Sequence, residues 1–167
     1  MLLKMGEIVG DLLADQVIRG GADAVQLFDT WAGLLSPKNY RKFAMPATKK
    51  TIEVFREKVG ERTPLIHYAK GSNHLHSAIR ELDLNAISLD WRDDLKLNRK
   101  EFGDKLAFQG NLDPSLLHGS TEMARKATIL TTALVRTIRV RRTISFAECC
   151  RGFTQLRVLF LAVFPKF

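Results

Sequence analysis

Residues 64–90 read PLIHYAKGSNHLHSAIRELDLNAISLD. An apolar run, Pro64 to Ala69, is followed by a Lys70–Gly71–Ser72 turn. A short helical stretch, Asn73 to Leu82, leads into a second apolar run, Ala86 to Asp90. Neither run alternates polar with apolar residues. Each therefore predicts a strand buried on both faces, as in a parallel sheet joined by crossover helices.

The same alternation continues on both sides. Upstream, Met1 to Arg19 has helical period, with Met1, Met5, Ile8, Leu12 and Leu13 as its apolar stripe and Gly20–Gly21 as its stop. Ala22 to Phe28 is a strand. Ser36 predicts an N-cap and Pro37 a first helical position, for a helix running to about Val59 and ended by Gly60. Downstream, Asp93 to Phe102 is a helix whose two leading acids suit its positive end. Lys105 to Gln109 is a fourth strand, Gly110 to Pro114 its exit loop, and Ser120 or Thr121 opens a further helix. Four βα units in about 100 residues fit half of a (β/α)8 TIM barrel or a doubly wound sheet. Both folds place function at the strands' C-terminal ends. No G-x-G-x-x-G or P-loop pattern is present, which disfavours the nucleotide-binding version.

The net charge of +8 is confined to one end. From Ala124 to Phe167 there are nine Lys or Arg and one acid, Glu148; the rest of the chain carries 17 of each sign. The balanced body gives no reason to expect nucleic acid. The tail, 126–167, alternates β-branched residues with arginines from Thr128 to Ile144 and ends in an apolar run, Val158 to Phe164. It is expected to lie outside the fold; a basic nucleic-acid-binding or membrane-binding extension is the alternative. The run is too short to span a membrane. No signal peptide is evident at the N-terminus, so a cytoplasmic protein is expected. Cys149 and Cys150 are adjacent, which argues against a structural disulfide between them, and no Cys/His spacing suggests a metal.

Three segments together resemble one family. Gly20 to Leu35, GGADAVQLFDTWAGLL, is similar to the G-A-D-A-V-Q-x-F-D-S-W-A-G stretch of the uroporphyrinogen decarboxylases, and Ser36, Pro37, Tyr40 and Pro46 continue it. Ser88 to Trp91, SLDW, resembles the family's G-L-D-W. Ala107 to Pro114, AFQGNLDP, resembles its L-Q-G-N-L-D-P. The similarity covers about residues 1–125. It implies a partial TIM barrel of about four βα units and a homodimer in intact members, working without metal or organic cofactor. The implied reaction is stepwise loss of the four acetate carboxyls of uroporphyrinogen III, giving coproporphyrinogen III in haem biosynthesis. Protonating a pyrrole carbon makes the ring an acceptor for the electrons released with CO₂. The protein then needs a proton donor, a partner for the cationic ring, and groups that hold the other carboxylates.

Thr30 stands where the family's motif has a substrate-contacting serine, and Phe28 precedes it on the apolar side of the cavity. These two are the substrate-binding candidates. A turn hydroxyl and an ordinary core aromatic are their structural alternatives. Asp90–Trp91 and Asn111–Asp113 sit at strand exits, where capping explains them equally well. Lys70 could meet a carboxylate. His67, His74, His76 and His118 show no relay or metal spacing. The family's active-site aspartate, tyrosine and arginine-rich loop precede the matched region, and its late N-L-G-H-G motif has no counterpart in the tail. No catalytic residue is therefore assigned, and the chain alone is expected to be inactive. A corrinoid-linked methyltransferase of the same superfamily would need a thiol near His67, where the sequence reads His67–Tyr68–Ala69. A non-catalytic remnant or one half of a split enzyme is the remaining alternative.

Overall fold

The computed structural model describes residues 1–103, 106–134 and 158–162. Helix α1, Leu2–Ile18, leads into strand β1, Ala24–Phe28. Ser36 then caps the next helix, its hydroxyl accepting the Asn39 amide at 3.3 Å, with Pro37 at the first helical position. This helix has three parts: α2, Pro37–Asn39, a π-helical turn, Tyr40–Ala44, and α3, Met45–Val59. Pro46 has no amide to give to the carbonyl four residues back, which accounts for the widened turn just before it. Gly60, at φ +73°, ends α3 as the sequence predicts.

Strand β2, Leu65–Tyr68, is followed by a 3-10 turn, Asn73–Leu75, and a single turn of helix α4, His76–Ile79. Strand β3 covers Ala86–Ser88 and β4 covers Ala107–Gln109, each shorter than its apolar run suggests. Helix α5, Leu95–Phe102, lies between them. Its cap is Asp94, which accepts the Lys96 and Leu97 amides at 2.7 and 3.0 Å. Asp93, expected to lead this helix, instead accepts the Asp90 amide at 2.8 Å. Helix α6, Thr121–Leu134, starts where expected, with the Ser120 hydroxyl accepting the Met123 amide at 3.2 Å.

All strand pairings are parallel, in the order β4-β3-β2-β1-β5, where β5 is Val158–Ala162. From β1 to β4 each strand is laid on the same side of its predecessor, with no reversal. A doubly wound sheet reverses direction at its switch point, and a barrel does not. The fold is therefore α/β with a parallel sheet consistent with part of a TIM barrel. The Gln109 amide reaches the Gln26 side chain at 3.5 Å, although these residues lie on β4 and β1, three strand spacings apart. In a flat sheet those strands stand about 14 Å apart with parallel side chains, so the tips meet only because the sheet curls.

The tail does not stand wholly apart. Helix α6 runs through the expected boundary at 125, and β5 extends the sheet along the free edge of β1, from Ala24↔Val158 to Phe28↔Ala162. An apolar run gains partners for its backbone groups by joining that edge. Cys149, Cys150 and the rest of 135–157 lie outside the described residues, as do 163–167 and Lys105.

The core lies between the sheet's outer face and the helices. Val25, Leu27, Leu65, Ile87 and Phe108 point there with Leu13, Ile52, Phe55 and Leu75. Two loops from helix to strand are built alike. Arg56 on α3 donates to the carbonyls of Gly60 and Thr63, and Arg99 on α5 donates to those of Gly103 and Leu106. The spacings are the same, four and seven residues on, and both glycines have positive φ.

Helix α1 buries a face that shares only Leu13 with the stripe its apolar period predicts. Gly6, Gly10, Leu13 and Ala14 are buried, whereas Ile8 is 56% exposed and Leu12 45%. The glycines bring α1 against α3, where the Thr51 hydroxyl lies 3.1 Å from both the Gly6 and the Ala47 carbonyl. A Cβ on Gly10 would sit 2.7 Å from the Thr51 carbonyl oxygen and 2.8 Å from Val54 Cβ.

Gly10→Ala is expected to lower stability by about 1–2 kcal/mol, because overpacking outweighs the gain in helix propensity. Ile8→Ala is expected to change it by less than about 0.5 kcal/mol. Urea unfolding of both variants checks the pair. His67, buried on the outer face of β2, has its pKa pushed down to about 4 by burial. The unfolded chain then binds a proton that the folded chain refuses, so stability falls as pH drops from about 6.5 toward 4. The loss from this residue is about 2–3 kcal/mol. His67→Leu should flatten that slope in urea midpoints measured at pH 7 and pH 5.

Candidate functional site

Register sorts the strand residues into two faces. Gln26↔Ile66 and Phe28↔Tyr68 pair across β1 and β2, Ile66↔Ala86 and Tyr68↔Ser88 across β2 and β3, and Ala86↔Ala107 and Ser88↔Gln109 across β3 and β4. These residues share the concave face. They form two rows. The deeper row, Gln26, Ile66 and Ala86 with Ala107, is mostly buried. The outer row is Phe28, Tyr68, Ser88 and Gln109, and all four are half-buried. Phe28 and Tyr68 meet edge to face, with centroids 5.7 Å apart. The outer row lies at the strands' C-terminal ends, where a barrel of this type holds its ligand.

Thr30 is half-buried in the loop that leaves β1, two residues beyond Phe28. This places both sequence candidates at one rim. The loop is held from below. The Asp29 amide donates to the Tyr68 carbonyl at 2.7 Å, and Asp29 in turn accepts the Ala32 amide at 3.1 Å. Trp31, Ala32 and Gly33 then turn tightly. A Cβ on Gly33 would lie 2.2 Å from the Lys70 carbonyl oxygen, so glycine alone lets the β1 exit pack on the β2 exit.

The β3 exit is knotted to the same loops. Asp90 is buried, and both its carboxylate oxygens are engaged. Arg92 grips it with Nε at 2.9 Å and Nη2 at 2.7 Å, and the Gly71 amide donates to it at 3.0 Å. The Arg92 guanidinium holds the Asp90 carboxyl down at about 2. Gly110 passes beneath the Leu89 carbonyl, 2.6 Å from where a Cβ would stand, and the Asn111 side chain donates to the Asp93 carbonyl at 2.6 Å. Asp113 accepts the Ser115 amide at 2.8 Å and so caps a short turn. Asp90, Asn111 and Asp113 are thus engaged in holding the loops.

The histidines lie elsewhere. His67 and His76 line a small cavity with Ser72, Ile79, Ile87 and Ser88, and neither histidine belongs to the concave row. His74 Nε2 lies 2.9 Å from the Leu35 carbonyl, and His118 is exposed in the turn after β4. Among the described residues no three His, Cys, Asp or Glu are grouped to hold a metal. No helix among them is long and apolar enough to cross a membrane.

Sequence reasoning passed over Tyr68, Gln26, Gln109, Arg92 and Asp29. The two glutamines were findable as polar residues inside otherwise apolar strands. Arg92 was not, since its partner Asp90 is two residues away in a loop without a fixed pattern. Asp29 sits behind the rim, where burial pushes its carboxyl up to about 6 and its charge raises the Tyr40 phenol further. A carboxyl raised above its unfolded value costs stability once ionised, as pH rises through about 4 to 6. Asp29→Asn should therefore stabilise the fold by about 1–2 kcal/mol at pH 8 and by nearly nothing at pH 4, read from urea midpoints at the two pH values.

The model of the family described as uroporphyrinogen decarboxylase (URO-D) matches residues 1–144, which carries the match beyond residue 125 and through α6. The uroporphyrinogen decarboxylase of Hydrogenovibrio crunogenus is 40% identical over 130 residues, covering 72% of this chain and 37% of that protein. Those of Sodalis glossinidius and Pseudoalteromonas translucida are 42% and 38% identical, over 72% and 78% of this chain and 37% of each relative. The chain thus spans little more than a third of the length of these curated relatives. With the matched motifs lining the rim of a curled parallel sheet, the chain belongs to the uroporphyrinogen decarboxylase family.

Proposed function

We propose that this chain supplies part of the substrate pocket of a uroporphyrinogen decarboxylase, a carboxy-lyase that removes the acetate carboxyls of uroporphyrinogen III to give coproporphyrinogen III. The observation that carries the reading is the half-buried row Phe28, Tyr68, Ser88 and Gln109 with Thr30 at its rim. That row offers apolar edges beside amide and hydroxyl groups. A tetrapyrrole edge studded with carboxylates needs the same mixture.

In this reading the Thr30 hydroxyl donates to a substrate carboxylate, and Phe28 with Tyr68 packs against the pyrrole ring that is losing CO₂. Protonation at the pyrrole carbon makes the ring an electron acceptor. The C–C bond electrons flow into it as CO₂ departs, a second proton converts the resulting methylene to methyl, and the ring carbon gives up the first proton, so that one proton is consumed for each CO₂ released. Apolar packing beside the ring lowers the local dielectric and strengthens every charge contact to the carboxylates. The segment holds and orients substrate in this account. Homodimeric assembly, a cytoplasmic location and a role in haem biosynthesis belong to the same proposal.

The test is a chimera. Residues 1–125 of this chain replace the matching segment of the Hydrogenovibrio crunogenus relative, and coproporphyrinogen formation is followed anaerobically by chromatography of the oxidised products. The chimera is expected to make coproporphyrinogen. Within it Thr30→Val should lower kcat/KM by roughly 10- to 100-fold, while Thr30→Ser should keep most of it, since the hydroxyl is what the substrate meets. A folded chimera that forms no product would refute the proposal.

A further inference from the structure

We infer that Lys70 and Arg92, set about Trp91 at the exits of β2 and β3, form a carboxylate receptor at the rim of the concave face. The inference rests on the proposed function and adds where one of the substrate's carboxylates is held.

Three observations carry it. Arg92 is fixed in place without being used up. Its Nε and Nη2 grip Asp90, whose side chain is 1% exposed, while the Arg92 side chain stays 56% exposed. Of its five N–H groups, those on Nη1 and one on Nη2 are not needed for that grip. Its carbon centre also lies 4.8 Å from the Trp91 ring, so the fork is held on two sides.

The second observation is Lys70. It is exposed, and its ammonium lies 6.0 Å from the same Trp91 ring. Among the described residues it forms no ion pair. With Asp90 already neutralising one charge, the group of Lys70, Arg92 and Asp90 keeps one positive charge facing outward. Of the other two acids of this loop, Asp93 is buried and turned to the Asp90 amide, and Asp94, which is exposed, is engaged at the α5 cap by the Lys96 and Leu97 amides.

The third observation is how the two cations are kept together. The Gly71 amide donates to the same Asp90 carboxylate that Arg92 grips, and Gly71 follows Lys70 directly. Asp90 is therefore a positioning residue for both cations, one through a side chain and one through the backbone. A rigid fork beside a mobile ammonium suits a carboxylate carried on a short arm, as an acetate or propionate substituent is. Trp91, 38% exposed, provides a flat apolar surface between them for the ring that carries the arm.

The chain has two tryptophans, Trp31 and Trp91, and both stand in strand-exit loops, so intrinsic fluorescence reports on this rim. The experiment titrates the full chain with two probes, uroporphyrin and benzene-1,2,4,5-tetracarboxylate, and repeats both with Lys70→Gln, Arg92→Lys and Arg92→Gln. Circular dichroism confirms that each variant is folded. Both probes are expected to quench the wild-type signal. Lys70→Gln should weaken binding about 5-fold and Arg92→Gln about 10-fold, with Arg92→Lys recovering part of the loss, and raising salt should weaken the wild type. Lys70 is exposed and structurally dispensable, so its variant keeps the test valid if loss of Arg92 disturbs the loop. Uroporphyrin binding that is unchanged in folded variants would overturn the receptor and leave the pocket reading standing. Variant-sensitive binding of the tetracarboxylate without uroporphyrin binding would uphold the receptor and count against the tetrapyrrole reading. Binding of neither probe would overturn the receptor.

Discussion

Each crossover between β1 and β4 sets its strand on the same side of the last, and a twisted parallel sheet grown that way has to curl. Most of the structure depends on that constraint. It gives the strands an outer face, covered by helices and packed with Val25, Leu27, Leu65 and Phe108. It also gives them an inner face, on which Gln26 and Gln109 can meet across four strands. The chemistry of a polar, partly open row at the C-terminal ends follows from the same geometry. In a flat sheet with helices on both sides, Phe28, Tyr68, Ser88 and Gln109 would be sealed into a second core.

The loops at that rim are rigid because of close backbone approaches and one buried charge. Gly33 lets the β1 exit lie on Lys70 and Gly71, and Gly110 lets the β4 exit lie under Leu89. Asp90 then joins the β2 and β3 exits through Gly71 and Arg92. A carboxylate this buried is tolerable because its oxygens are fully paired. Removing a partner would leave the charge stranded, so the loops are coupled to one another. Such coupling allows a few side chains at the rim to hold fixed positions without a helix or strand beneath each of them.

Much of this was legible in the sequence. Apolar runs without alternation announced buried parallel strands, and Ser36–Pro37, Gly60 and Ser120 announced helix ends that the structure repeats. The motif around Gly33 and the one around Gly110 carried the family. Other features were hidden for physical reasons. The apolar stripe of α1 misled because close packing selects small residues, and Gly6 and Gly10 register as nothing on a hydrophobic scale. Helix α5 begins at Leu95 with Asp94 as its cap, rather than at Asp93, because Asp93 had a partner in Asp90. Thr30 and Phe28 were singled out as candidates through the motif, whereas Tyr68 needed the register with Phe28 before its place was visible. The β5 pairing could not be read from an apolar run alone, since such a run does not say which sheet edge it will join.

The claim that the concave row is an open pocket wall meets its most direct test in the reactivity of one engineered thiol. Ser88→Cys, in a background with Cys149 and Cys150 changed to Ser, would be labelled by a maleimide with and without uroporphyrin, beside Ile87→Cys on the outer face. The account predicts rapid labelling at 88, at least tenfold slower labelling at 87, and marked protection of 88 by uroporphyrin. Labelling at 88 as slow as at 87 would mean that the inner face is covered. Rapid labelling unaffected by uroporphyrin would mean that the ligand binds elsewhere. Either result would contradict the account.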